Sequence, residues 1–198
     1  MTGKERRQQL LDVARSLFAE KGYDSTSVEE IASRANVSKP VVYEHFGGKE
    51  GIYAVVVDRE MQALLDQIVS KLSGGHPRVM LEQAARALLT YVEESTDGFH
   101  ILVRDSSVLS STGTFSNLLN DIASQVEHIL AVQFSARGYD SKLATLYAQA
   151  LVGMVALTGQ WWLDARRPKR DDVAAHLVNL AWNGLSHLEH KPKLTLPE

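Results

Sequence analysis

Apolar residues recur along this chain at helical spacing from one end to the other. Leu10, Leu11, Val13, Ala14, Leu17 and Phe18 share one stripe, the i, i+3, i+4, i+7 pattern of an amphipathic helix. They predict a first helix from Lys4 to Lys21, closed by Gly22 in the position that favours glycine. Val28, Ile31 and Ala32 repeat the pattern over Ser27 to Ala35, and Ser27 with Glu30 has the spacing of a capping box. Asn36 suits a left-handed position after that helix, Val37 can plug the gap that follows, and Ser38 suits a second N-cap. Pro40 falls in the first turn of the next helix, where its missing N–H is no loss. Gly47 and Gly48 stop that helix after Phe46. Two helices of about two turns, joined by three or four residues, have the helix-turn-helix pattern.

Beyond Lys49 the periodicity continues. Ile52, Val55, Val56, Met61, Leu64, Leu65 and Ile68 predict a connector helix from Lys49 to about Ser73, roughly 35 Å long at about 1.5 Å per residue. Ser73-Gly74-Gly75-His76-Pro77 breaks it, and Pro77 can open the helix that carries Leu81 to Val92. Thr96-Asp97-Gly98 is expected to be a turn, Phe99 to Asp105 a short further segment, and Ser106 to Gly113 a loop or frayed turn. Leu118, Leu119, Ile122, Val126, Ile129 and Leu130 predict a helix from Phe115 to Arg137, ended by Gly138-Tyr139-Asp140. Two last helices, Leu143 to Arg166 and Asp171 to Glu189, flank Arg167-Pro168-Lys169, and the tail from Lys191 is expected to be disordered. No stretch alternates with period two between hairpin turns. The expectation is an all-α fold of about nine helices. A three-helix head occupies residues 1–50, the connector starts near residue 49, and a helical body fills residues 51–198.

Composition narrows the class. At 198 residues and 44% hydrophobic, the chain can bury a sizeable core. It has no cysteine, which removes disulfides and thiolate metal ligands and suits a reducing compartment. Asp12 and Arg15 interrupt the apolar stretch behind Lys4, Arg6 and Arg7, so the N-terminus does not read as a signal peptide. Leu151 to Leu163, the longest apolar run, is broken by Thr158 and Gln160 and is too short to span a bilayer. A cytoplasmic protein without a membrane partner is expected. His76, His100 and His128 show no metal-ligand spacing, and no phosphate loop, HExxH or serine elbow is present. No metal, no cofactor and no enzymatic activity are therefore expected. Net charge is −3, and residues 1–52 carry 8 Lys/Arg against 8 Asp/Glu. Bulk charge gives no argument for nucleic acid; only the placement of individual cations can.

The N-terminal quarter carries a family resemblance. Ala14, Leu17-Phe18, Lys21-Gly22-Tyr23, Thr26-Ser27-Val28-Glu29-Glu30-Ile31-Ala32, Ala35-Asn36-Val37-Ser38, Val42-Tyr43, His45-Phe46 and Lys49-Glu50 together resemble the bacterial regulators of the tetracycline-repressor (TetR) type. The resemblance implies a DNA-binding head and a variable body that dimerises and usually binds a small inducer. A helix-turn-helix lays its second helix in the major groove with N-terminal residues at the base edges. The candidate DNA contacts are Ser27, Ser38, Lys39, Pro40, Val41, Tyr43, His45 and Lys49. Lys39 and Lys49 sit at helix N-termini, against the macrodipole. Approaching phosphates or guanine edges would account for both; solvated surface lysines are the alternative. Pro40, Val41 and Val42 offer apolar contact to thymine methyls. The resemblance assigns Tyr43 to a phosphate and His45 to a phosphate or to packing beside Phe46. Arg6 and Arg7 read either as a DNA-reaching arm or as a solvated one.

In the body, Ala144, Ala148, Gly153, Ala156 and Gly159 on one predicted helix, and Ala174, Ala175, Ala181 and Gly184 on the next, allow close helix approach. The resemblance makes these two helices a homodimer face; ordinary packing within the chain is the alternative. Polar groups within apolar stretches nominate an effector pocket: Tyr91, His100, Arg104, Gln125, His128, Tyr147 and Trp161. Arg104 could hold an anionic group of an effector or pair with Asp105 or Glu94. The leading expectation is a homodimeric repressor that binds a palindromic DNA operator and is released by a small-molecule effector. The alternative keeps the head and gives the body a protein partner.

Overall fold

The computed structural model describes residues 2–72, 74–104 and 114–194. Among them the regular structure is helical throughout. The helices are α1 (Gly3–Lys21), α2 (Val28–Arg34), α3 (Lys39–Phe46), α4 (Lys49–Val69), α5 (Pro77–Glu94), α6 (Thr96–Arg104), α7 (Thr114–Ala136), α8 (Ala144–Ala165) and α9 (Arg170–Ser186), with a 3-10 turn at Ser141–Leu143. The expected all-α fold with a helix-turn-helix head is what forms. The connector stops at Val69, short of Ser73, and its end tightens: Lys71 and Leu72 N–H groups bond to the Ile68 and Val69 carbonyls at 2.9 and 3.0 Å. The expected loop at Ser106 to Gly113 lies outside the described residues. So does the end of the tail, residues 195–198; residues 187–194 form no further helix.

One expected break falls earlier, at Ser95 alone. Thr96-Asp97-Gly98 is the first turn of α6 rather than a turn between elements. Thr96 Oγ1 donates back to the Val92 carbonyl at 2.9 Å, and the Phe99 N–H reaches the Ser95 carbonyl at 3.0 Å, so the chain passes from α5 into α6 without unwinding fully. Gly98 is buried there. Its glycine character answers to packing rather than to a turn. A Cβ at this position would lie 1.8 Å from Glu60 Oε2 and 2.6 Å from the Tyr91 hydroxyl.

The described residues form two compact units. One comprises Met1–Asp66 and Tyr91–Leu118, the other Gln67–Thr90 and Leu119–Glu198. In the first, Leu10, Ala14, Leu17, Ile31, Val42 and Ile52 lose all contact with solvent, each large side chain contributing about 1.5–3 kcal/mol of hydrophobic stabilisation. Phe18 meets Tyr53 edge-on at a centroid separation of 4.9 Å, and Tyr23 packs on Tyr53 at 4.7 Å, which joins α1 to α4. The same unit holds a polar link. Arg15 Nε of α1 donates to Glu60 Oε1 of α4 at 2.6 Å, and the Tyr91 hydroxyl donates to Glu60 Oε2. Arg104 at the end of α6 donates to the Ala19 carbonyl of α1 at 3.1 Å. In the second unit Leu130, Phe134, Ala144 and Ala148 form a core on which Tyr139, Tyr147 and Leu188 pack. The Trp162 indole N–H, buried, is satisfied by the Pro168 carbonyl at 2.8 Å.

Candidate nucleic-acid interface

Local chemistry fixes α2 and α3 at their ends. Ser27 Oγ accepts from the Glu30 N–H at 3.1 Å, the N-cap half of the expected box. The Glu30 carboxylate turns instead to Lys21, so the reciprocal half does not form. Asn36 takes a left-handed conformation at φ +53°, uncommon for a side chain other than glycine but tolerated by Asn. The Val37 N–H then bonds to the Ala32 carbonyl at 2.9 Å. Ser38 holds the extended backbone of an N-cap, but its side chain makes no capping bond. Gly47 ends α3 at φ +74°, its N–H on the Tyr43 carbonyl at 2.8 Å.

Within α3 only Val42 is buried. Ser27, Ser38, Lys39, Pro40, Tyr43 and Glu44 are exposed, and Val41, His45 and Lys49 are half-buried. One apolar anchor thus holds the helix while its outer face stays open. Lys39 is paired there with Glu29 of α2, and its ammonium stands 5.7 Å from the centre of the Tyr43 ring. The hydrogen bond between them raises the pKa of Lys39 and lowers that of Glu29, so both stay charged. Glu29 was not legible as a partner, because an acid in the first turn of a helix is already explained by the macrodipole.

Lys49 has structural work that its sequence position did not reveal. Its ammonium donates to the Tyr23 carbonyl at 3.0 Å and the Asp24 carbonyl at 3.5 Å, and lies 4.2 Å from the Tyr23 ring centre. These carbonyls follow α1 and offset the charge at the start of α4. The terminal arginines are also placed. Arg6 donates to Gln9 at 2.7 Å, and the Arg7 guanidinium covers the Phe46 ring at 4.4 Å, with His45 beside that ring at 6.2 Å. Phe46 is half-buried rather than sealed in the core.

The effector candidates fall in both compact units: Tyr91, His100 and Arg104 in the first, Gln125, His128, Tyr147 and Trp161 in the second. Tyr91 and Arg104 are engaged by Glu60 and Ala19. Burial first, then donation to Glu60, raises the pKa of the Tyr91 phenol well above its ordinary value. His100 is half-buried; Gln125 and His128 are exposed. Tyr147 packs edge-on against Phe134 at 5.3 Å, and Trp161 is exposed. A polar cleft of about 280 Å³, lined by Arg78, Glu82, Arg86 and Asp171 over Ala174 and Val178, lies between α5 and α9 in the second unit. Among the described residues no group of three or more acidic or histidine side chains could hold a metal ion.

Comparison with known proteins settles the family. Residues 10–56 match the description "Bacterial regulatory proteins, tetR family", and residues 77–184 match "Tetracyclin repressor-like, C-terminal domain". The chain belongs to the TetR family. It is 31% identical over 190 residues to the HTH-type transcriptional activator FasR of Mycolicibacterium smegmatis, which covers 93% of this chain and 84% of FasR. It is 37% identical over 103 residues to the transcriptional repressor KstR2 of Rhodococcus jostii, about half of each protein, 50% and 47%. A TetR-like regulator from Rhodococcus sp. RHA1 superposes with a TM-score of 0.73 at 25% identity, over 91% of this chain and 96% of that one. The fatty acid degradation regulator FadR from Bacillus halodurans gives 0.75 at 18% identity over 92% and 97%, a likeness of fold. As a TetR-family member the chain is a DNA-binding transcriptional regulator, in a family whose members act as dimers and are not enzymes.

Proposed function

We propose that this TetR-family chain represses transcription as a homodimer, inserting α3 of each copy into the major groove of a palindromic operator, and that a small molecule bound by the body releases it. The open outer face of α3, with Lys39, Pro40 and Tyr43 exposed around the single buried anchor Val42, is the observation that carries this reading. Ser27, Ser38, Val41, His45 and Lys49 complete the proposed contact set. One head of this size buries too little for tight specific binding, roughly 600–1,000 Å² for a single module. Two heads related by a two-fold axis would read half-sites about 34 Å apart or a multiple of it.

The dimer face we assign to α8 and α9. Leu146, Leu157 and Trp161 on α8 and Leu180 on α9 are 56% to 66% exposed. Separations of eleven and four residues bring the three α8 side chains onto one stripe, since α-helices complete about 3.6 residues per turn. A Cβ at Gly153 or Gly184 would meet nothing within 4 Å, leaving room for close approach of a second backbone. Ser141–Ala165 is long and apolar enough to cross a membrane by length and composition, yet little of it is buried. An apolar face that a second copy covers accounts for the same property, and a DNA partner puts the dimer in the cytoplasm.

Occlusion of a promoter needs only the DNA-binding heads, whereas activation also needs a surface for the transcription machinery. Operator position decides between them, and relatives of both signs exist. For release, support comes from α6, which reaches α1 through Arg104 and Ala19 and packs Gly98 against Glu60. A ligand that shifts α6 would thereby shift the head. Selecting bound duplexes from a random pool tests the first half: an inverted repeat is expected, and enrichment of single half-sites alone would overturn the dimeric reading. A promoter fusion carrying that repeat should fall in expression when the regulator is present and recover with an effector; a rise instead would reverse the sign.

A further inference from the structure

Lys39 is the only lysine or arginine on α3. In the folded head it is not available as a free charge, because Glu29 of the neighbouring helix holds it, over the Tyr43 ring. Three other head cations are paired with carboxylates, Arg15 with Glu60, Lys21 with Glu30 and Arg34 with Glu20, while Arg6, Arg7 and Lys49 keep their charge against Gln9, the Phe46 ring and the Tyr23 carbonyl. With 8 cations balanced by 8 anions over residues 1–52, the head lacks the diffuse positive field that drives sequence-independent DNA binding. The Lys39–Glu29 pair, with side chains 46% and 62% exposed, contributes little to folding, as exposed pairs do. Opening the pair therefore costs the fold little.

We propose that Glu29 is a selectivity residue that occupies Lys39 until an operator base displaces it. This rests on the reading that α3 enters the major groove. A lone phosphate competes poorly for Lys39: it replaces one anionic oxygen by another and meets the Glu29 charge on approach. A guanine edge presents two acceptors, O6 and N7, at fixed positions, and the apolar Pro40–Val41 surface beside Lys39 gains its contacts only in that register. Glu29 thus penalises binding to arbitrary DNA more than binding to the operator.

The test uses four full-length proteins: wild type, Glu29→Gln, Lys39→Ala and the double variant. Each is titrated across a salt series against the duplex that wild type enriches from a random pool and against a scrambled duplex of the same composition. Freeing Lys39 should add one phosphate contact on scrambled DNA. The log–log salt slope of Glu29→Gln then steepens by about 0.9, and its affinity rises roughly threefold at the low-salt end of a fourfold range. Affinity for the selected duplex should rise less, so the ratio of the two falls. In the Lys39→Ala background the Glu29→Gln change should give a clearly smaller gain, limited to the relief of Glu29's own repulsion of phosphate. An equal gain on both duplexes, no gain on scrambled DNA, or the same gain without Lys39 would each overturn the proposal. Lys39→Ala binding the selected duplex as wild type does would overturn the proposal by removing Lys39 from the contact set, while leaving insertion of α3 through Pro40 and Tyr43 standing. If instead Lys39→Ala weakens binding while Glu29→Gln leaves the ratio unchanged, only the role of Glu29 is lost. The Ser27 cap does not use the Glu29 side chain, and unchanged helicity by circular dichroism checks that α2 is intact.

Discussion

Replacing Glu60 by glutamine removes one charge and keeps the shape of the side chain, at the point where α1, α4 and the α5–α6 junction meet. The wild-type carboxylate accepts from Arg15 Nε at 2.6 Å, from Arg15 Nη2 at 3.4 Å and from the Tyr91 hydroxyl. It is 12% exposed and Arg15 30%. Burial opposes the Arg15 charge, but the bond to Glu60 and its charge outweigh that, and the net shift of Arg15 is upward. Breaking a fully buried pair by removing one partner costs about 3–5 kcal/mol. Because Arg15 keeps access to water, about 2 kcal/mol is the appropriate figure after discounting. For a chain of this length about 1 kcal/mol moves the melting temperature by about 2–4 °C, so Glu60→Gln should melt about 4–8 °C lower. The assay is thermal unfolding by circular dichroism at one fixed protein concentration, since dimerisation also shifts the midpoint. Gly98→Ala approaches the same link from the other side. Its Cβ would stand 1.8 Å from Glu60 Oε2, and although the carboxylate can swing away, doing so gives up the Arg15 and Tyr91 bonds. Alanine's better helix propensity, about 1 kcal/mol, should not offset that. A Glu60→Gln melting point within about 1 °C of wild type, or a Gly98→Ala variant more stable than wild type, would refute the reasoning.

Three further outcomes are expected. Ser27→Ala loses the side-chain cap of α2 and should cost about 1 kcal/mol in denaturant unfolding, whereas Ser38→Ala, whose side chain makes no capping bond, should cost markedly less. The raised pKa of Tyr91 means that the unfolded chain loses this proton first as alkali is added. Its contribution to stability is whole below the ordinary tyrosine value near pH 10 and is lost as pH climbs beyond it; Tyr91→Phe should flatten that decline, and an unchanged alkaline limb would contradict the assignment. Leu157→Glu on the exposed stripe of α8 should leave helicity intact and convert dimer to monomer in sedimentation, with loss of operator binding; a dimer of wild-type affinity would move the interface elsewhere.

What the amino-acid order determined by itself was the set of local decisions. The apolar stripe from Leu10 to Phe18, the cap at Ser27, the left-handed Asn36 and the stop at Gly47 are each readable because the cause lies within a few residues of the effect. The resemblance to the TetR family was legible for the same reason, being carried by that dense local pattern. Partnerships between distant residues were not. Lys39 and Lys49 look alike in sequence, both cations at helix starts, yet one meets Glu29 across a turn and the other caps the carbonyls of Tyr23 and Asp24. Arg104, read as an anchor for an effector, reaches Ala19 some 85 positions away. Gly98, read as a turn, is a packing glycine inside a helix because Glu60 and Tyr91 leave no space for a Cβ. Backbone hydrogen bonds and caps act over one turn of chain, so a sequence displays them; close approach and ion pairing act through space, and only the folded chain decides which of its many charges and small residues meet.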